Sequence, residues 1–516
     1  MPENIVSKLR GKIPYEWKLA IISAFFIGLL THLYIFLHRL PNHDGLLNIY
    51  SSQAKVTSGR FFLSKAAGIS SYFDMPWVIG LFSILFLSLA AVCIVSLFEV
   101  KKKISIILIS GIVVAFPSVS ATFSYMFTAD GYMLGTFLAI LAVLLTKKYK
   151  YGFILGAVAL CLGVGIYQAN LSVAMAFITL WLIHDILLNK TTTKQLGVNI
   201  FRSALMLGIG MVSYLVIYKI YTSLLEVSIT SYQGLDKVGS VTMDDLPKVF
   251  EIIDLKFKTF FFDGFVNQAE VNLLEWLNVF LLITLIIATI TIIIKNKVFM
   301  KIVQLLLLVL LVLSFPISFY VVYFLSPEAE YHMLMIFSIS SIYIYLVLLY
   351  DAVDIRKSLA IEKITSWATV LLLAVTIYNF GLIANIVYFN MELKYERSIQ
   401  LANRIIDRAE QLEDYQDIEK IHVIGRYRIE TPLPSVIIPQ KIPQMVGSTG
   451  EHLLVETAHV QKIFANFLGY QLLFLMPDEL EEMNARQEIK EMGIWPSDDS
   501  VQVIDDVLVI KFAEQP

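Results

Sequence analysis

Long apolar runs recur along the chain from Trp17 to Asn390 and then cease. Runs of this length are typical of helices that cross a membrane, because a helix satisfies its own backbone hydrogen bonds inside lipid. The runs at 104–116 and 152–167 are short for a crossing. The pattern predicts eleven spans in all, at residues 17–37, 77–98, 104–116, 130–146, 152–167, 170–188, 202–221, 275–294, 302–325, 333–350 and 364–389.

Positive charges decide whether the short runs cross. Lysines at residues 101–103 precede the first short run, and lysines at residues 147–150 follow the next apolar run. Two crossings between these clusters keep both on one side, as the positive-inside rule prefers. With eleven crossings the segments on that side carry 19 Lys and Arg residues, against 8 in the longer opposite segments. The sequence therefore predicts a cytoplasmic N-terminus and an extracytoplasmic C-terminal tail.

The tail after Asn390 has a different composition. Residues 391–416 are charged and have helical periodicity, whereas residues 420–425 and 501–512 alternate as strands do, the second run with a hairpin turn at its two central aspartates. We therefore predict a membrane domain over residues 1–390 and a small extracytoplasmic α/β domain over residues 391–516.

Composition agrees with a helical membrane protein. Of the 516 residues, 57% are hydrophobic and 16% are charged, where a soluble domain has about 25% charged residues. This excludes a soluble enzyme, a disordered chain and a nucleic-acid-binding protein. Cys93 and Cys161 both lie within apolar runs, so they indicate neither a disulfide framework nor a zinc site, and the sequence indicates no other metal or cofactor.

Two aspartates on the predicted outer face are candidates for chemistry. Asp44 and Asp130 each precede a glycine and an apolar run, a pattern that is typical of a helix start, so each is also a candidate helix N-cap. A carboxylate at the membrane–water boundary is equally well placed as a general base or as an acceptor for substrate hydroxyls. The sequence leaves both interpretations open.

Cationic side chains lie in the same outer loop. Arg60, Lys55 and Lys65 either extend to lipid headgroups or bind a phosphate, for which the planar guanidinium fork of arginine is well suited. The other polar residues of the outer segments are candidates for substrate contacts, although tyrosines also favour the membrane interface. These residues are His43, Tyr50, Tyr132, Tyr167, Gln168, Glu330 and His332.

Three segments of the chain resemble a known family. The first outer loop, NHDGLLNIYSSQAKVTSGRFF, resembles that of bacterial membrane glucosyltransferases of the Gtr type II family. FPSVSATFSYMFTADGYMLG and GVGIYQANLSVAMAF resemble the next two signatures of that family. The ordered combination of the three is distinctive, and the resemblance is clearest over residues 38–188.

The resemblance implies a fold and an activity. Such proteins are similar to GT-C-type glycosyltransferases, which are multi-spanning enzymes that use a polyprenyl-phosphate sugar. It implies transfer of a glucosyl group from undecaprenyl-phosphate-glucose to a surface polysaccharide such as O antigen, at the outer face of the bacterial cytoplasmic membrane. It also implies two partners, a small flippase that delivers the lipid-linked sugar and a polyprenyl-phosphate glucosyltransferase that makes it.

The resemblance also implies roles for particular residues. Asp44 corresponds to the usual candidate base, Asp130 to a second acidic position and Arg60 to a basic position of the family. The last outer loop, SPEAEYH, departs from the pattern because it lacks the arginine that is common there.

A transporter is the alternative interpretation. A flippase or exporter that moves a lipid-linked sugar or polymer unaltered would have a similar number of spans. Alternating access favours polar groups near the membrane midplane, whereas the polar groups here gather in the outer loops. The sequence therefore favours an enzyme, and a non-catalytic assembly protein is a third possibility.

Overall fold

A computed structural model describes residues 13–226, 242–262, 273–326, 329–427, 445, 447–448 and 452–514. The described residues before 390 form a bundle of helices. Its described helices are α1 (Tyr15–Leu37), α2 (His43–Leu47), α3 (Leu63–Ala67), α4 (Pro76–Phe98), α5 (Lys103–Ala115), α6 (Pro117–Phe123), α7 (Ala129–Lys148), α8 (Gly152–Ile166), α9 (Asn170–Leu187), α10 (Thr193–Leu224), α11 (Leu246–Phe262), α12 (Leu273–Lys295), α13 (Ile302–Phe319), α14 (Ser340–Asp351) and α15 (Ala360–Ala409).

Eleven apolar helical segments correspond to the eleven predicted spans. Within the described chain, nine are long and apolar enough to cross a membrane, namely α1, α4, α5 continued by α6, α7, α9, α10, α12, α13 and α15. The other two, α8 and α14, are shorter apolar helices of 15 and 12 residues. The prediction of a polytopic helical membrane protein is confirmed.

The prediction that residues 117–129 form the second outer loop is wrong over the first half of this segment. Pro117 starts α6, and the residues of α6 are buried rather than exposed in a loop. Two hydroxyl groups of this segment donate to carbonyls of their own helix, Ser120 Oγ to Pro117 at 2.9 Å and Thr122 Oγ1 to Ser118 at 2.8 Å. Serines and threonines are thus compatible with burial here, because their hydroxyls find acceptors one turn back.

The lysine-rich segments lie together at one end of the bundle. Lys101 Nζ lies 2.9 Å from the carboxylate of Glu16, at the start of α1. The backbone N–H of Lys102 donates to the carboxylate of Asp351, at the end of α14, at 3.0 Å. Segments that were predicted to share the cytoplasmic side therefore meet at one end of the bundle.

A polar group inside the bundle is fully hydrogen-bonded. His32 is buried in α1, where its Nε2 donates to the carbonyl of Val114 at 2.8 Å and its Nδ1 accepts from the hydroxyl of Tyr388 at 2.6 Å. Because polar groups in lipid need internal partners, His32 joins α1, α5 and α15 through these two bonds.

Helix α15 extends far beyond the bundle. α15 has 50 residues, about 75 Å at 1.5 Å per residue, whereas the apolar core of a membrane is about 30 Å thick. Its predicted apolar span, 364–389, and the predicted helix 391–416 are one unbroken element ending at Ala409. The residues after 390 pack through Leu401 and Ile405 into a separate hydrophobic core.

A four-stranded sheet completes the C-terminal region. Its elements are β1 (Lys420–Ile424), α16 (Thr457–Ile463), β2 (Leu473–Phe474), α17 (Pro477–Ala485), α18 (Gln487–Glu491), β3 (Val501–Ile504) and β4 (Val507–Lys511). The strand order is β2-β1-β4-β3, with β1 parallel to both neighbours and β3 antiparallel to β4. Asp505 and Asp506 connect β3 to β4, as the alternating pattern predicts.

Candidate active site

A cavity of about 500 Å³ lies at the end of the bundle opposite the lysine-rich end. Its walls come from residues 43–63, which follow the far end of α1, from residues 125–132 before and within α7, from Tyr167, and from residues 332–334. The volume is within the range of about 300–1,000 Å³ that is typical of small-molecule sites. Segments distant in sequence therefore form one pocket.

The loop bearing Arg60 is fixed by a glycine that admits no side chain. Gly59 has a φ of +74°, and a Cβ there would lie 2.5 Å from the hydroxyl oxygen of Tyr214 and 2.6 Å from Nε2 of Gln168. The same Gln168 Nε2 donates to the carbonyl of Ser58 at 2.7 Å. The loop is thereby seated on the turn after α8 and on α10, and Arg60 is directed into the cavity.

Two tyrosines hold the Arg60 guanidinium. Its Nη1 donates to the hydroxyl of Tyr132 at 3.0 Å, and its Cζ lies 4.8 Å from the centre of the Tyr167 ring. The two tyrosine rings stack on each other, with centroids 4.6 Å apart and planes within 10°. Arg60, Tyr132 and Tyr167 come from the three sequence segments in turn, so those segments converge at one cation in the cavity wall.

Asp44 presents a carboxylate to the same cavity. The N-cap of α2 is Asn42, whose Oδ1 accepts from the N–H of Gly45 at 2.7 Å, so the interpretation of Asp44 as the cap is wrong. The Asp44 side chain is 47% exposed and lines the cavity, with its Oδ2 3.9 Å from Nε2 of His43. Burial lowers the pKa of His43 below its ordinary value, against an opposing effect of Asp44, and thus favours the neutral imidazole next to this carboxylate.

Comparison with protein families decides the class of the molecule. A sequence model of the glucosyl transferase GtrII family matches residues 33–351, which include every residue that lines the cavity. The chain belongs to this family. Comparisons with curated proteins and with solved structures gave no match. The protein is thus a GtrII-family membrane glucosyltransferase by family, and α15 and the sheet lie beyond the part that the family defines.

Seven of the twelve predicted site residues line the cavity of this GtrII-family protein. They are His43, Asp44, Lys55, Arg60, Tyr132, Tyr167 and His332. His332 stands on the wall formed by residues 332–334, and burial lowers its pKa, with a further lowering by Lys256 and an opposing effect of Glu330. Lys55 is exposed at the rim, where its position is compatible with a phosphate-binding role.

Asp130 does not reach the cavity. It is fully buried in the first turn of α7, where its Oδ1 accepts from the N–H of Gly131 at 2.8 Å. A carboxylate in this position is stabilised by the helix N-terminus. The N-cap of α7 is Thr128, so the interpretation of Asp130 as the cap is wrong, and the structure places this carboxylate in the first turn of the helix and outside the cavity wall.

The other four predicted residues lie outside the cavity wall. Lys65 and Glu330 are exposed side chains, and Tyr50 packs on Phe73 with ring centroids 4.6 Å apart. Gln168 lies beneath the Arg60 loop rather than on the cavity surface, so its role in the structure is to position that loop.

Several residues that line the cavity were not predicted from the sequence. Asn48 and Gln53 are joined by a bond of 3.1 Å from Gln53 Nε2 to Asn48 Oδ1, and Tyr125, Phe127 and Thr128 precede α7. All five lie inside the first two family-like segments, so amide and aromatic residues within those segments were the available signal. In the described chain no group of three or more His, Cys, Asp or Glu side chains is placed to hold a metal ion.

Proposed function

We propose that the protein transfers a glucosyl group from undecaprenyl-phosphate-glucose to a cell-surface polysaccharide, such as O antigen, at the extracytoplasmic face of the bacterial cytoplasmic membrane. The observation that supports this best is that Arg60 and Asp44 both line one cavity, at the end of the bundle opposite the lysine-rich end. A cation for a phosphate and a carboxylate for a hydroxyl are what this transfer requires.

Asp44 is the proposed general base. An acceptor hydroxyl oxygen attacks the anomeric carbon of the donor while the hydroxyl proton passes to the Asp44 carboxylate. General-base catalysis of this kind contributes typically 10²–10⁴-fold to a rate. The neutral state of His43 supports the assignment, because a cationic imidazole 3.9 Å away would make the carboxylate a weaker base.

Arg60 is the proposed ligand of the leaving phosphate. As the bond from the anomeric carbon to the phosphate oxygen breaks, the electron pair goes to that oxygen, and a fixed cation stabilises the added charge. The contacts with Tyr132 and Tyr167 hold the guanidinium in place before the donor binds. Lys55 at the rim adds a second positive charge. Attack in line with the departing phosphate inverts the anomeric centre.

The position of the cavity supports an enzyme rather than a flippase. All of its lining residues come from loops and helix ends on one side of the bundle. A transporter that alternates access needs its site near the midplane, within reach of both sides. A lipid-phosphate donor presents its headgroup at the membrane surface, which suits a cavity at the end of the helices.

The decisive experiment is transfer by the purified protein in lipid vesicles supplied with labelled undecaprenyl-phosphate-glucose and a polysaccharide acceptor. We expect Asp44→Asn to reduce the transfer rate by about 10²-fold or more, while Lys65→Ala, an exposed change outside the cavity, has wild-type activity. Near-normal transfer by Asp44→Asn would show that Asp44 is not the general base. Translocation of the labelled lipid without transfer would favour the flippase.

A further inference from the structure

The C-terminal region contributes directly to the wall that carries Asp44. α16 packs on α2, the short helix that contains both His43 and Asp44. Leu46 of α2 is 1% exposed and belongs to the hydrophobic core of the C-terminal region, together with Ile463 of α16. The helix with the proposed base is therefore anchored in a core that lies outside the part matched by the family.

Two further contacts join the same loop to the C-terminal region. Gly447, with a φ of +92°, lies so close to Asn42 that a Cβ there would be 2.7 Å from Nδ2 of that N-cap residue. Arg39 lies 3.6 Å from the carboxylate of Asp74, and its Cζ is 5.4 Å from the centre of the Phe467 ring. The start of the first outer loop is thus held against the C-terminal region, and Arg39 links the end of the loop, at Asp74, to that start.

His459 of α16 lies against His43, the neighbour of the proposed base. It is 5% exposed, and its ring lies edge-on to His43 with centroids 6.0 Å apart. Its Nδ1 has no hydrogen-bond partner among the described residues.

We propose that the C-terminal region is part of the active site and that His459 is a positioning residue, which covers part of the His43 ring and fixes it beside Asp44. This inference rests on the proposed function, in which Asp44 accepts the proton. It assigns to the sheet-bearing region a role in the chemistry of a cavity whose lining residues all belong to the membrane part of the chain.

The electrostatics of the pair explain how His459 acts. Burial lowers the pKa of His459, and the neighbouring His43 lowers it further, while Glu456 and Asp44 raise it and Arg426 lowers it. Burial likewise lowers the pKa of His43, as does Lys394 of α15, against the opposing effects of Asp44 and Glu456. Removing the His459 ring exposes a further part of the His43 ring to water, so the pKa of His43 rises and its cationic form appears at higher pH.

The test compares His459→Ala with a matched control, His422→Ala. His422 is also 5% exposed and lies in the same region, but it contacts Asn484, with Nε2 2.8 Å from Oδ1, and not α2. We expect His459→Ala to lower kcat about tenfold or more, with the donor KM unchanged, because small displacements of a reacting group cost large factors in rate. The acid limb of its pH profile moves to higher pH, and the His422 variant keeps the wild-type limb.

A second measurement does not depend on transfer. The chain has eight histidines, so ring-labelled protein in nanodiscs gives a small set of NMR titrations, in which His43 is assigned by its loss in His43→Gln. We expect the pKa of His43 to rise in His459→Ala and to remain near the wild-type value in the more conservative His459→Gln. An unchanged titration and an unchanged kcat in His459→Ala would overturn the proposal, whereas a wild-type protein without transfer but with the expected shift would overturn only the proposed function.

Discussion

At the scale of single residues, Arg60 shows how a cation is made ready for a ligand. A hydrogen bond to Tyr132 and the face of Tyr167 fix the planar guanidinium, and neither tyrosine neutralises its charge. A cation–π contact of this kind contributes about 0.5–2 kcal/mol, depending on desolvation. The two tyrosines therefore fix the position of the guanidinium and leave its positive charge available to bind a phosphate.

Arginine and lysine are predicted to differ at this position. We expect Arg60→Ala to lower transfer by about 10²-fold or more and Arg60→Lys to recover only part of the loss, because an ammonium group cannot bond to Tyr132 and stack on Tyr167 in one geometry. Steady-state transfer assays at varied donor concentration measure both effects. Equal activity of the lysine variant and the wild type would show that only the charge matters.

Burial of the Asp74 carboxyl group destabilises the folded protein by an amount that depends on pH. Burial raises its pKa to about 6, against a smaller lowering by Arg39. The folded protein therefore holds this proton over a pH range in which the unfolded chain, with its ordinary value of 3.8, has released it. Since stability falls with rising pH wherever the folded state binds more protons, this group disfavours folding above about pH 6 and ceases to do so below its ordinary pKa.

We accordingly expect the difference in melting temperature between wild type and Asp74→Asn to change with pH in one direction. From pH 4 to pH 7 the wild type should lose about 2 kcal/mol of stability relative to the variant, which is most of the effect of a shift from 3.8 to about 6 at about 1.4 kcal/mol per pKa unit. Thermal unfolding in detergent at a series of pH values measures this. A difference that is constant with pH would show that Asp74 does not titrate in this range.

At the scale of elements, the loop 55–62 tolerates little change at Gly59. A Cβ at Gly59 meets Tyr214 and Gln168, and its positive φ disfavours any side chain. We expect Gly59→Ala to cost about 1–3 kcal/mol of stability and to reduce transfer, because Arg60 shifts with the loop. Tyr214→Phe in the same chain removes the nearest oxygen and should restore part of the melting temperature.

Gly197 in α10 is the matched control for that substitution. Nothing lies within 4 Å of a Cβ at this position, so Gly197→Ala should leave stability unchanged or raise it. If Gly59→Ala behaved in the same way, the loop would be more adaptable than the distances indicate.

Elements were predictable where burial follows from the sequence alone. The apolar runs predicted the spans, because a membrane helix has apolar side chains whether it faces lipid or packs against other helices. Alternating apolar and polar residues predicted β3 and β4. The segment 117–123 was interpreted as a loop because hydropathy does not reveal that neighbouring helices bury it. At residue 390 the composition changes and the helix does not, since helical hydrogen bonds continue whether the surroundings are lipid or water.

The site was predictable to the extent that its residues lie in recognisable segments. Asp44 and Arg60 were found from outer-loop position and chemistry, and both line the cavity. Asp130 shares the same Asp-Gly pattern but is buried, because the packing of α3 against α7 closes over it. No signal links His459 to His43, since more than four hundred residues separate them and only the folded chain brings their rings together.

At the scale of the whole molecule, the sidedness of the membrane is the prediction with the widest consequences. Cys93 and Cys161 are 5% and 4% exposed, so a membrane-impermeant maleimide has a low background. We expect Asp498→Cys, in the C-terminal region, to be labelled in right-side-out vesicles, and Lys103→Cys, at the lysine-rich end, to be labelled only in inverted ones. The reverse pattern would place the cavity in the cytoplasm and exclude an extracytoplasmic acceptor.

The unbroken helix α15 has a consequence for how this architecture can vary. Each residue added to a helix rotates the rest of the chain by about 100° and lifts it by about 1.5 Å. A single insertion between residues 390 and 401 would therefore swing the sheet and α16 away from α2, even though the helix itself would tolerate it. Relatives that carry a similar tail should accordingly conserve the length of this stretch more strictly than its amino acids, and lineage-specific insertions should fall elsewhere.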